Sequence, residues 1–480
     1  MATYKHGVYV SEQATSLVPA VNTTAGLPVI FGTAPIHLAK DAAEANRPVL
    51  CYSYAEAVAA FGYSEDWKNY TLCEAIYSQF ALYGYAPIVL VNVLDPEKHK
   101  KSNEGEVKIV DGAAEIKAAV IPDTLVVKAA VGGDACKIDV DYTAAYDDDG
   151  VLIISVLEGG ALAKATSIYA SYDELDPTAV TYSDIIGGID TDGNAKGLET
   201  LNLVFPVTGL IPGLVLAPGW SHIPAVEAVM KAKAGNINEH FKAMCIVDVP
   251  TDEVKSYSEV SEWKNSNNYV GENEVVCWPC VQNGDKVFHL STHVMGVIAS
   301  VDAKNNDIPY ESPSNKTVNV QGTCLADGTE VILGPENANY LNGQGIVTAL
   351  NFIGGWKLWG NRTACYPSNT DAKDAFIAIK RMFFWHASTF IQTYWVKVDG
   401  AITKRLIHSV LDSEKIRLNA LVAQGVLLGG TVEFREDENA QTDLLDGKIR
   451  FHTRLTPPTP AREIDNIIEY DPDYFAALFE

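Results

Sequence analysis

Basic residues are scarce in this chain of 480 residues, which carries 36 Lys and Arg against 61 Asp and Glu, a net charge of -25. Such a balance repels phosphate backbones and anionic lipid headgroups, so neither nucleic acid nor a membrane is an expected partner, and a protein is. No run of about 18 apolar residues occurs, and the first residues lack a charged flank followed by an apolar core. Neither a membrane span nor a secretion signal is therefore expected, and the chain should stay where it is made. Cysteine is also sparse. The eight cysteines sit mostly inside apolar runs such as AMCIVDV, the pattern of buried reduced thiols rather than a disulfide framework.

Catalytic signatures are missing as well. The sequence has no G-x-S-x-G elbow, no H-E-x-x-H pair, and neither G-x-G-x-x-G nor G-K-[ST] in its TTAG, LNGQG and FIGG segments. No catalytic residue, cofactor or metal is therefore expected. Cys277, Cys280, His289 and His293 spell C-x2-C-x8-H-x3-H, but the central gap is shorter than a zinc finger's, and both cysteines fall in an apolar run that reads as a buried strand. Asp190, Asp192 and Asn194 imitate the start of a calcium loop, yet Ala195 replaces its turn glycine and Leu201 its closing Glu. Trp356, Trp359, Trp385 and Trp395 read as core packing rather than a sugar or base platform.

What the chain does have is enough apolar residue, 47%, to build a large core over two to four domains. Leu27 to Phe31 reads as a strand, helices start near Ser53 and Thr71, and PIVLVNVL at 87–94 is a strand covered on both faces. Residues 95–199 change character: nine lysines and no arginine against 21 acidic residues leave a balance of -12. Short alternating runs there, DTLVVKAAV, CKIDVDY and GVLIISVLE, predict an acidic, β-rich insertion. From 214 to 300 strands and helices take turns, which implies a doubly wound α/β layer. A Gly- and Asn-rich middle then leads to a long helix from Asp371 to about Tyr394 and a second over 402–424, with a possible break near Asp412. Two hairpin-like strands follow, TVEFR and KIRFHTRL. Val432 and Phe434 share one face of the first, and Ile449, Phe451 and Leu455 one face of the second.

The two ends are extended. Tyr4, His6, Val8 and Val10 alternate with Lys5, Gly7 and Tyr9 before a polar run. At the other end Pro457, Pro458 and Pro460 stiffen a spacer. Beyond it Ile464, Ile468 and Tyr470 fall on one side, and Glu463, Asp465 and Glu469 on the other, interrupted by Asn466 and Ile467. A half-buried strand isolated behind a proline spacer buries too little to order itself, so it either frays or adds to a sheet edge of another molecule.

Together these ends resemble contractile tail sheath proteins, the family that covers phage tails, R-type bacteriocins and related injection machines. The resemblance rests on HGVYVSE, FGTAP at 31–35, LAPGW at 216–220, HVMGVIASVDA at 293–303, LNGQGI at 341–346, GGWKLWGNRT at 354–363 and GGTVEF at 429–434, in that order. It implies an α/β core of a doubly wound sheet with helices, an inserted β-rich outer domain, and a C-terminal α+β domain with extended N- and C-terminal arms. The expected boundaries are 1–26 for the first linking arm, 27–94 with 200–370 for the core, 95–199 for the outer domain, 371–455 for the inner domain and 456–480 for the last arm. Tyr4, His6, Val8 and Val10, and Ile464, Ile467, Ile468 and Tyr470, would pair with sister copies. Val432, Phe434, Ile449 and Phe451 would form the accepting sheet. The family keeps a tube-facing helix, matched here by SEKIRLNALVAQG, which makes Lys415 and Arg417 candidate contacts, although both beside Glu414 also fit a solvated or intrachain pair. The resemblance further implies a homo-oligomer of stacked hexameric rings around an inner tail tube, with baseplate and tail terminator proteins as partners. It places the chain in a virion tail or bacteriocin particle assembled in the host bacterial cytoplasm. The rival from another class is a cytosolic α/β enzyme with a small ligand at the C-terminal ends of the 214–281 strands.

Overall fold

The computed structural model describes residues 24–147 and 149–479 of the chain. Its centre is an eight-stranded sheet. In spatial order the strands are Trp356–Trp359, Ile346–Asn351, Glu274–Cys277, Met244–Asp248, Leu214–Leu216, Pro28–Gly32, Ile88–Asn92 and Val49–Cys51. The six inner strands all run parallel, and an antiparallel strand closes each edge. Parallel strands need crossovers, and these are the helical segments between them: Pro224–Ala234, Tyr257–Ser266 and Leu290–Lys304 among others. Every residue of the Pro28–Gly32, Ile88–Asn92, Leu214–Leu216, Met244–Asp248 and Glu274–Cys277 strands is buried, which is why they read as unbroken apolar runs.

The expected β-rich insertion is a six-stranded antiparallel sheet, in the order Val126–Lys128, Ser167–Leu175, Lys100–Val110, Ala113–Ile116, Leu152–Val156 and Tyr142–Tyr146. It has its own small core, including Ala114, Val127, Ile154, Ile168 and Ala170. The return leg belongs elsewhere. Val180, Ile185 and Leu198 pack into the main core, so the insertion ends in packing terms near Leu175 rather than at 199.

Three helix and strand expectations need correction. NEVVCWPCV is not one strand: Glu274–Cys277 joins the main sheet, while Cys280–Asn283 lies between Lys286–Phe288 and Gly322–Cys324 in a separate three-stranded sheet. The helix expected from Asp371 is interrupted at Phe376, whose backbone is extended, between a single turn at Ala372–Ala375 and the long helix Ile377–Tyr394. The next helix, Lys404–Ala423, is unbroken at Asp412, because Val410, Ser413, Glu414 and Leu418 keep one buried stripe through that turn. Those two long helices share a third cluster, in which Met382, Trp385, Leu418, Leu421, Val426, Leu427 and Val432 are buried together.

Candidate functional site

The two strands expected near the C-terminus form a two-stranded antiparallel pair, Gly429–Glu433 with His452–Thr456, registered Val432 to Thr453 and Gly430 to Leu455. Val432 is buried, and Phe451 and Leu455 pack beside it against the two long helices. Gly430 sits so close to the Lys404–Ala423 helix that a Cβ there would meet Leu418 Cδ2 at 3.1 Å. One face of the pair is thus pressed onto helices. Among the described residues each strand has a ladder partner on one side only, so both outer edges carry unpaired backbone groups.

Phe434, Ile449 and Phe451 lie outside the ladder, contrary to expectation, since residues 448–451 have no strand pairing. Asn439 takes over there. Its buried side-chain amide donates to the carbonyls of Arg435 at 2.8 Å and Arg450 at 2.9 Å, and accepts from Arg450 N–H at 2.7 Å. A side chain therefore closes the hairpin where the backbone ladder stops, and the sequence signal, a lone Asn in an acidic loop, was too weak to find it. Phe434 and Phe451 still meet, with ring centroids 5.9 Å apart.

Directly after Thr456 the proline spacer runs over the body: Pro458, Pro460 and Arg462 line a groove of about 780 Å³ with Tyr310, Trp359 and Arg362. The tail then leaves. Ile464, Ile467, Ile468 and Tyr470 are 87%, 93%, 85% and 74% exposed, and residues 461–471 form no secondary structure. Tyr4, His6, Val8 and Val10 lie outside the described residues.

Of the two candidate tube contacts on the Lys404–Ala423 helix, Lys415 is exposed and Arg417 is not. Arg417 pairs with buried Glu414 through Nη2 at 2.7 Å and Nε at 3.1 Å, and its Nη2 also donates to His386 Nδ1 at 2.6 Å. Burial, then the neighbouring guanidinium, holds the imidazole neutral, down at about 3. The expectation that Arg417 faces outward is therefore corrected: the helix turns it toward Trp385 and Glu414.

The rival site at the strand ends is already filled. At the N-terminus of the Leu290–Lys304 helix, Glu74 accepts from His289 N–H at 2.7 Å and Asp248 accepts from Ser291 N–H at 2.9 Å. In a nucleotide-binding relative of this layered fold those N–H groups would face an anionic ligand. Here the protein's own carboxylates occupy them. His289 Nδ1 contacts Glu74 at 2.7 Å. Burial works against its charge, but Glu74, with Asp248 behind it, raises the imidazole to about 9. His293 faces elsewhere, its Nδ1 2.9 Å from Tyr83 Oη, and burial keeps it down at about 3. Cys277, Cys280, His289 and His293 thus do not converge, and among the described residues no group of three or more His, Cys, Asp or Glu is placed to hold a metal ion.

Comparison with known proteins finds tail sheath proteins. Over 99% of both chains the sequence is 27% identical to the tail sheath protein of Burkholderia phage BcepMu. Along its whole length the chain is similar to tail sheath proteins. It is also 26% identical to a putative prophage major tail sheath protein of Pseudomonas aeruginosa, over 66% of this chain and 80% of that one. The sheath fold is shared with the PVC sheath complex of an extracellular contractile injection system in its contracted state, at a TM-score of 0.60, 14% identity and coverage of 98% and 99%. No family model matches the sequence. The likeness supports a structural role for the chain, as a tail sheath subunit, rather than an enzymatic one.

Proposed function

We propose that the subunit polymerises as stacked hexameric rings around an inner tube, linked by its two ends, and contracts to drive that tube through a target cell envelope. The observation that carries this reading is the pairing of an open-edged sheet with an exposed apolar tail in the same chain. An isolated strand bearing Ile464, Ile468 and Tyr470 in water is unfavourable, and a two-stranded sheet with bare edges is a template for it. Docking would form about five or six ladder bonds worth roughly 1 kcal/mol each and bury three side chains at roughly 1.5 to 3 kcal/mol apiece. The prolines between Thr456 and Arg462 act as the hinge, so subunits swing and rotate while the strands stay paired.

Under this reading residues 27–94 and about 176–370 are the core, 95–175 the outer lobe, 371–455 the inner domain, and 1–26 and 456–480 the linking arms. Val432, with Phe434, Ile449 and Phe451 flanking it, forms the accepting surface, and Tyr4, His6, Val8 and Val10 contribute the second incoming strand. Lys415, beside exposed Ile416, is the tube-facing candidate on its helix. Baseplate and terminator proteins cap the ends of the stack, and the particle, phage or bacteriocin, assembles in the host cytoplasm. Deleting Arg462–Glu480 tests the reading. A folded subunit that stays small by sedimentation and forms no tubes in negative stain is expected, and normal tubes from the truncated chain would refute it.

A further inference from the structure

Where the N-terminal segment joins the body, two residues belong to two different cores. Leu27 is buried in the main sheet's core, whereas Ala25 packs against the cluster of the two long helices. The backbone between them is gripped from three sides. Arg381, on the Ile377–Tyr394 helix, donates from Nη2 to the Ala25 carbonyl at 3.0 Å. The same guanidinium forks onto Asp302 of the Leu290–Lys304 helix, with Nη1 to Oδ1 at 3.0 Å and Nη2 to Oδ2, and both side chains are at most 3% exposed. Gly26 lies against that carboxylate, because a Cβ there would stand 2.8 Å from Asp302 Oδ2. From the third side Gly213 approaches so closely that its Cβ would be 2.0 Å from the Ala25 oxygen. A cavity of about 20 Å³ beside Arg381, lined by Thr24, Ala25 and Gly213, is about the size of one water.

A buried Arg–Asp pair is a poor device for stability alone, since an apolar pair of similar volume does as well or better. Its cost is understandable if the geometry it fixes is needed. We propose that Arg381 is the positioning residue of the N-terminal arm: held by Asp302, it fixes the Ala25 carbonyl and so sets the direction of the chain at Thr24, the root of the arm. This rests on reading that end as an intersubunit arm. The clamp joins the core helix, the inner helix and the arm root at one guanidinium, so a pull on the arm is delivered to both layers together.

The full-length double variant Arg381→Met with Asp302→Leu tests it, because it removes the clamp without leaving a charge buried alone. The melting temperature of the monomer should change little, while the concentration needed to form tubes rises tenfold or more. Assembly at the wild-type concentration overturns the proposal, as does a lowered melting temperature with assembly unaltered, which marks a purely structural pair. If the double variant fails to fold, Gly213→Ala, which displaces the Ala25 carbonyl from the opposite side, should raise the assembly concentration in the same way, and unchanged assembly refutes the clamp. Deleting residues 2–23 separates this from the parent reading. Normal tubes from that deletion defeat the arm itself, whereas blocked tubes alongside normal assembly of the clamp variants defeat only the clamp.

Discussion

Replacing Ile464 and Ile468 by alanine weakens assembly without touching the subunit. Both side chains are more than 80% exposed in the single chain, so nearly their whole apolar surface is available to be buried by a neighbour. Ile to Ala removes three carbons, worth about 0.8 kcal/mol each on burial, or roughly 2.4 kcal/mol per site. At about 1.4 kcal/mol per tenfold, each substitution should raise the concentration for polymerisation by roughly 50-fold. The monomer's melting temperature should not move, since substitutions at exposed positions away from special features change stability by about 0.5 kcal/mol or less. Sedimentation across a dilution series reads the first quantity and calorimetry of the dilute subunit the second. Glu463→Gln and Glu469→Gln, on the opposite side of the strand, are the controls and should have far smaller effects. Polymerisation at an unchanged concentration in the double alanine variant would refute the docking of this face.

The inner helix separates Lys415 from Arg417. Arg417→Ala leaves buried Glu414 without its guanidinium partner and should destabilise the subunit by about 3 to 5 kcal/mol, whereas Lys415→Glu should leave calorimetric stability unchanged and weaken assembly around the tube. The His289 site gives a pH dependence. Its folded pKa, about 9, lies above the unfolded value near 6.5, so the stabilisation from its charge is complete below about pH 6.5 and disappears as pH rises through 9. Between those limits the melting temperature of the wild type should fall more steeply than that of His289→Gln, and parallel curves would contradict the Glu74–His289–Asp248 assignment.

The sequence displayed its parallel sheet because strands buried on both faces must be apolar throughout, and PIVLVNVL, LVL and AMCIVDV are. The same rule misled at NEVVCWPCV, whose apolar run continues unbroken although the chain changes sheets at Trp278–Pro279; hydrophobicity reports burial and not which partner supplies it. The insertion was legible from its lost arginine and its alternation, but its end was not, because Val180, Ile185 and Leu198 are ordinary apolar residues whose destination depends on the fold. In the candidate site, the burial of Val432 followed from period-two alternation. Asn439 and the inward turn of Arg417 did not, since both depend on which buried acceptors the folded chain places opposite them. The Arg381 clamp joins residues 302, 25 and 381, separations that no local pattern encodes.

The most direct test is a cryo-electron microscopy map of tubes assembled from the full-length chain. The account predicts residues 462–470 as a β-strand on an outer edge of the Gly429–Glu433 and His452–Thr456 pair of a different subunit, with Ile464 and Ile468 turned toward its helices. A map in which that segment lies on its own subunit, or in which both edges stay bare in a fully formed tube, would contradict it.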